Sequence, residues 1–452
     1  MFEALRRSLE TGGILDNDTK RKLLKSCQLD EPIPPGDLRH YDFDSPVEFR
    51  GQPWRQRVAE VIDLASKPTT QIVTGLPGSG KSTELKQLKK DLEGMNYRVE
   101  LADAGAWIQD DEPITHHDIL LALVLALYPE GQPQGFSEWA LEYAKQVNLL
   151  LGSEIEASGV EVGLGTAKVK ANLTTDTTLF QQVAKRLGDV QGLRKKVFEL
   201  LGKAAKRAEQ TGRPLVIILD GIEKRATGDL AGPEEREKYR NHWFGAFLTH
   251  ARELRPPVHV VYTVPPFMVR RAPELGAQFG QELQFLPMVR IFQRKDGQDG
   301  RPTLQVEGVV AMRDALFKRV GAKYFSDPAV AAWLVVHSGG YIRDLLRLVI
   351  DCIYRVDGDV ITRDVADQSI VQVRQTYLEG IEAADESLLK LVHQARTFPL
   401  DESNKARMDS LLQGYLMLRY HNAIHWYDAH PLLWLRLGIQ GPTWDEVAEA
   451  CP

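Results

Sequence analysis

Gln71-Ile72-Val73-Thr74-Gly75-Leu76-Pro77-Gly78-Ser79-Gly80-Lys81-Ser82 is the stretch from which the fold can be read. Its first four residues suit a short buried strand, and a helical pattern through residue 88 follows the glycines, so the order is strand, glycine loop, helix. Glycines let the backbone turn successive N–H groups inward around an anion, and the following helix adds the positive end of its dipole. Gly75, Leu76, Pro77, Gly78, Ser79, Gly80, Lys81, Ser82 and Thr83 are therefore expected to cradle phosphate. Lys81 brings a point charge to the β and γ phosphates, and the Ser82 hydroxyl suits a magnesium that keeps most of its waters; Thr83 is the poorer ligand. The expected ligands are ATP and Mg2+.

Such a site needs a carboxylate at the end of a second buried strand, expected beside the first. Leu215-Val216-Ile217-Ile218-Leu219-Asp220 supplies one: Pro214 closes the preceding helix, and an apolar run without alternation describes a strand covered on both faces of a parallel sheet. Asp220 stands at its carboxyl end, where open parallel sheets bind ligands, and is expected to help Ser82 hold the metal. Glu223 is suited to deprotonate an attacking water, or else is a solvated loop carboxylate. A third central strand over residues 258–263, following a helix that contains residues 243–254, ends in Thr263, which either lies near the γ-phosphate or caps the following loop. Further on, Ser338-Gly339-Gly340-Tyr341-Ile342-Arg343 combines a tight turn with a helix start. Arg343 either aims its guanidinium at the γ-phosphate or faces solvent in a helical bundle.

The rest of the chain arranges itself around these signals. Residues 1–43 carry an uneven helical pattern and then Pro32, Pro34 and Pro35, an N-terminal extension on a stiff linker. The core is expected over residues 44–300. Within it, residues 55–65 form an amphipathic helix, 97–102 a strand, and 118–127 a helix capped from Thr115. Residues 134–180 read as an insert with a β-hairpin over 160–171, which grips a partner or merely decorates the surface. The last core strand is expected at 285–292. A helical lid follows at 301–380. The C-terminal module, 381–452, shows two helices and then two strand-like pieces flanking His421-Asn422, with Trp426 and Trp434 anchoring a small core. That order resembles a winged helix. His421, His425 and His430 lie close in sequence but without metal-ligand spacing. The fold class is α/β: a P-loop NTPase core with a parallel sheet, a helical lid and a winged-helix-like C-terminal domain.

Composition excludes other classes. With 452 residues, 43% hydrophobic and 26% charged, the chain is neither disordered nor fibrous. Its 3 cysteines show no CxxC spacing, and no apolar run reaches membrane-spanning length, so a cytoplasmic protein without a membrane partner is expected. The net charge of -6 lacks the basic footprint of a dedicated nucleic-acid binder, although a local basic patch remains compatible with it.

The order of Gly75–Ser82, the strand ending in Asp220 with Glu223, Thr263 and the segment 338–345 resembles the AAA+ and STAND branches of P-loop ATPases, especially bacterial relatives of the origin-recognition initiator ATPases. The resemblance implies that Thr263 acts as sensor one and Arg343 as sensor two. It also implies an arginine finger offered to a neighbouring copy, for which Arg270 and Arg271 are placed as in similar proteins. In that family the acidic pair is usually adjacent; here Gly221 and Ile222 intervene, a spacing nearer to STAND proteins. Three functions are compatible with this reading. One is a slow ATPase serving as a regulatory switch in bacterial defence or signalling, acting through a homo-oligomer or a protein effector. The second is a DNA-binding initiator or loader, and the third a nucleotide-stabilised scaffold with little hydrolysis.

Overall fold

The computed structural model describes residues 15–45, 49–107, 114–127, 192–223, 233–295, 301–397 and 404–451. The expected hairpin over 160–171 lies outside them. The chain forms two compact units: Arg55–Gly75 with Glu84–Phe285, and Met1–Trp54 with Leu76–Thr83 and Leu286–Pro452.

The first unit is built on a sheet of β1 (Thr70–Gly75), β2 (Arg98–Asp103), β3 (Leu215–Asp220), β4 (His259–Thr263) and β5 (Gln284–Leu286), in the order β2-β3-β4-β1-β5. The pairs β1 with β4, β3 with β4 and β2 with β3 are parallel. Every residue of β1 and β3 is buried; β3 accordingly runs apolar up to Asp220, while in β1 the buried polar side chains of Gln71 and Thr74 donate to the carbonyls of Val58 (2.9 Å) and Val264 (2.6 Å). Helix His116–Ala126 is apolar nearly all round and packs into the core with Ile217, Leu219 and the aromatic group Trp243, Phe247 and Tyr262. Thr115 starts it with a capping box: Asp118 N–H donates to Thr115 Oγ1 (3.3 Å), and Thr115 N–H donates to Asp118 Oδ2 (2.7 Å). Arg55 joins helix Trp54–Asp63 to helix Lys81–Gly94 through Glu84 (2.9 Å) and Asp91 (2.6 Å).

Three local expectations change. The strand ending in Asp220 does not adjoin the strand leading to the glycine loop, because β4 lies between them. The strand expected at 285–292 stops at Leu286, since Pro287 has no N–H for a ladder; Met288 and Arg290 instead donate their N–H groups to the carbonyls of Arg419 and Phe49. The helix expected over 243–254 ends at Phe244 and continues as a π turn, Gly245–Thr249, and a 3-10 turn, Ala251–Leu254.

The second unit holds helices Val306–Arg319, Pro328–Ser338, Ile342–Arg355 and Arg363–Leu378, followed by Ala383–Ala395, Lys405–Gln413 and the antiparallel hairpin β6 (Met417–Asn422) and β7 (Ile424–Ala429). Segments 301–380 and 381–452 thus lie in one unit. Buried Asp344 joins them: it pairs with His430 (3.0 Å) and Arg347 (3.0 Å) and accepts a hydrogen bond from Tyr377 Oη. His430 is therefore engaged with a carboxylate of the lid. Burial opposes ionisation of Asp344, yet the bonds from His430 and Tyr377 and the charge of Arg347 prevail and hold its carboxyl below the usual range. Trp426 is buried and stacks on Tyr420 at 4.3 Å between ring centroids. The hairpin turns at Ala423 (φ 63°), while His421 and Asn422, expected as the turn, pair with His425 and Ile424 inside the ladder.

Residues 15–45 are no loose extension. Helix Asn17–Ser26 is tied to the lid by Lys20 Nζ to the Val356 carbonyl (2.7 Å) and Ser26 Oγ to the Arg319 carbonyl (2.6 Å), and Leu15, Leu23 and Cys27 are buried. Among the described residues no helix is long and apolar enough to cross a membrane.

Candidate functional site

The glycine loop follows β1 and leads into helix Lys81–Gly94. Gly78 and Gly80 have φ values of +86° and +95°, and alternating such residues with ordinary ones turns consecutive N–H groups to one side. Ser79 and Lys81 are buried, and Ser79 Oγ has no hydrogen-bond partner among the described residues. A buried hydroxyl without a partner costs about 1–3 kcal/mol, a cost that a bound phosphate oxygen removes. The loop thus fits a phosphate group. The Thr83 hydroxyl faces elsewhere, accepting a bond from Ile33 N–H (3.2 Å).

Three residues of the second unit hold the loop. Tyr341 Oη donates to the Pro77 carbonyl, and Arg50 Nη2 donates to the Ser79 carbonyl (3.4 Å). Arg343 lies over Gly78: a Cβ built there would stand 2.7 Å from Arg343 Cβ and 2.8 Å from Cδ. Arg343 Nε is buried without a hydrogen-bond partner among the described residues, although the guanidinium also bonds the Tyr415 hydroxyl. Arg343 thus packs on the loop and is not the solvent-facing arginine that was the second alternative. Tyr341 and Arg50 were not foreseen as site residues. Tyr341 stands in the segment that announced Arg343, whereas a single buried arginine ahead of Gly51 carries no spacing signal.

The carboxyl edge of the sheet gathers the rest. Asp220 is buried and its Oδ1 accepts from Gly221 N–H (2.8 Å). Thr263 pairs with Val73 of β1, and its buried hydroxyl donates to the Leu219 carbonyl (3.3 Å) one residue before Asp220, so it ties β4 to β3 and does not cap the following loop. Because β4 stands between β1 and β3, the ends of those strands lie two strand spacings apart, about 10 Å. Glu223 is buried close behind Asp220 and is no solvated loop carboxylate. Asp103, in register with Asp220 on β2, is a second carboxylate at this edge; the rule that found Asp220, an apolar strand ending in aspartate, does not reach it, because Arg98 and Glu100 interrupt β2. Arg271 bonds Glu274 (2.6 Å) and lies over the Phe244 ring, and neighbouring Arg270 is half-buried.

Residues 52–229 match the KAP family P-loop domain, less than half of the chain. The core has the P-loop NTPase fold. No curated protein matches the chain. Solved structures similar to it include the ORC2 protein of Aeropyrum pernix in its ADPNP-ADP complexes, at 10% identity and a TM-score of 0.39 over 97% of each chain. A Walker-type ATPase of Pyrococcus abyssi is 11% identical with a TM-score of 0.42, covering 89% of this chain and 100% of that one. The RuvB Holliday junction branch migration motor of Thermotoga maritima is 13% identical with a TM-score of 0.35, covering 90% and 99%. This P-loop core implies nucleotide binding.

Proposed function

We propose that the protein is an ATP-operated switch of the AAA+/STAND kind, one that hydrolyses ATP slowly and relays its nucleotide state to a second copy or a protein effector. The observation that carries the reading is the packing of Arg343, from the first turn of a lid helix, on Gly78 of the phosphate loop. A residue so placed responds to what the loop holds, because a γ-phosphate offers its guanidinium charge-assisted bonds that ADP lacks. The lid segment bearing Arg343 is continuous through Asp344 with the C-terminal hairpin region, so a shift of the helix start reaches the module that would meet a partner.

In this scheme the loop amides from Gly75 to Ser82 bind the phosphates and Lys81 neutralises the β and γ oxygens. Ser82 and Asp220 would hold magnesium, whose positive charge would aid the departure of ADP. Glu223 takes the proton of the attacking water as the oxygen–phosphorus bond forms, Thr263 fixes the strand end beside Asp220, and Arg270 or Arg271 serves a neighbouring copy. A role in bacterial defence or signalling follows from the resemblance to STAND proteins. Phosphate release tests the chemistry: Glu223→Gln should still bind ATP while its release rate drops by about 100-fold or more. Release equal to that of the unaltered chain would overturn the assignment. Mass photometry with and without ATP tests the relay, and one unchanged mass with ATP, ADP and every candidate effector would refute it.

A further inference from the structure

Within the first unit, one side-chain group stands apart from the phosphate chemistry. His116 opens helix His116–Ala126, while His250 and Glu253 sit one short turn apart ahead of β4. Glu253 receives both imidazoles: His250 Nδ1 lies 2.9 Å from Oε1 and His116 Nε2 lies 3.1 Å from Oε2. The two rings stack at 3.8 Å between centroids and 12° between planes, so both present their edges to the same carboxylate. One ligand atom from each residue falls within 4.8 Å of the others.

We propose that His116, His250 and Glu253 form a binding site for a late first-row divalent cation, with zinc as the best fit. Zinc takes imidazole nitrogen and carboxylate oxygen at about 2.0–2.2 Å in a tetrahedron, whose edges are then about 3.3–3.6 Å. The two nitrogens stand 2.9 and 3.1 Å from different oxygens of Glu253, about 0.2–0.7 Å short of such an edge, so the side chains need open only slightly to admit an ion. Two histidines with one glutamate make a three-ligand set that leaves a fourth position for water. Exposure favours the same arrangement, since His116 is anchored with 11% of its side chain exposed while His250 at 41% and Glu253 at 31% leave one side open to solvent. Imidazole ligands select zinc, cobalt, nickel or copper over magnesium, so this site would not compete for the cation that accompanies a nucleotide. A bound ion would tie the start of one helix to the turn ahead of β4 and raise the thermal midpoint of the unit.

The site is testable with cobalt(II) as the probe, titrated into the chelator-treated full chain without nucleotide. One equivalent should bind, with the strong visible absorption of a tetrahedral complex, and zinc should displace it. Asp220→Asn should bind cobalt as the unaltered chain does. His250→Ala and Glu253→Gln should each weaken binding by about tenfold or more, with far-UV circular dichroism confirming that they fold. Glu253→Gln keeps the side-chain size and decides the matter if His250→Ala does not fold. The proposal is overturned if the unaltered chain shows no cobalt absorption, which would make the trio a hydrogen-bonded group only. It is equally overturned if folded Glu253→Gln binds as tightly as the unaltered chain, or if Asp220→Asn abolishes binding.

Discussion

Replacing Gly78 by alanine isolates the contact on which the relay depends. Gly78 has φ +86°, a conformation that costs a residue with a Cβ about 1–2 kcal/mol. The new methyl would also stand 2.7 Å from Arg343 Cβ, at the root of that side chain, where rotation about the outer bonds cannot relieve the clash. Either the loop or the start of helix Ile342–Arg355 must shift, at a further cost of about 1–3 kcal/mol. Gly36 supplies the control, since its φ is +85° and a Cβ there meets nothing within 4 Å. Urea unfolding followed by circular dichroism should therefore give about 1–2 kcal/mol for Gly36→Ala and about 2–5 for Gly78→Ala. In an Arg343→Gly background, which removes the Cβ as well, the cost of Gly78→Ala should fall to about that of Gly36→Ala. Equal costs of Gly78→Ala in both backgrounds would refute the contact between Arg343 and the loop.

Two further outcomes follow from the same arrangement. Arg343→Ala should weaken ATP about 10- to 100-fold by calorimetry while ADP changes by less than about threefold, since charge-assisted bonds to a γ-phosphate are worth roughly 1.5–3 kcal/mol; equal losses for both nucleotides would contradict a γ-phosphate role. Burial pushes His337 down to about 4 from the ordinary 6.5, only partly offset by the bond to the Trp333 carbonyl, so the folded protein carries it neutral. With the folded value below the unfolded one, its contribution is full above pH 6.5 and is lost as pH falls towards 4. The unaltered chain should thus lose about 1–2 kcal/mol more than His337→Gln between pH 7 and pH 4.5 in urea unfolding, and parallel curves would contradict this.

What could be read from sequence follows from how local each signal is. β3 was legible because a strand covered on both faces can run apolar throughout, β1 because Ile72 and Val73 lead straight into the glycine loop, and Thr115 with Asp118 announced a helix start through bonds made within four residues. The position of β4 between β1 and β3 was not legible, because strand order is set by packing across the whole sheet. Ala423 at φ 63° turns the hairpin where His421-Asn422 had the more turn-like composition, so the pairing of Tyr420 with Trp426 outweighed local preference. At the site, Gly75–Ser82 and Asp220 come from contiguous patterns. Arg50 and the meeting of His116 with His250 depend on residues distant in the chain and left no periodic trace.

The central claim is that the loop from Gly75 to Ser82 holds the phosphates of a nucleotide. Calorimetric titration of ATP with magnesium into the full chain tests it most directly. One site should be seen, with Lys81→Ala weakening binding by at least about tenfold while circular dichroism shows the fold retained. Absence of ATP binding to the unaltered chain, or equal affinity in folded Lys81→Ala, would contradict the account.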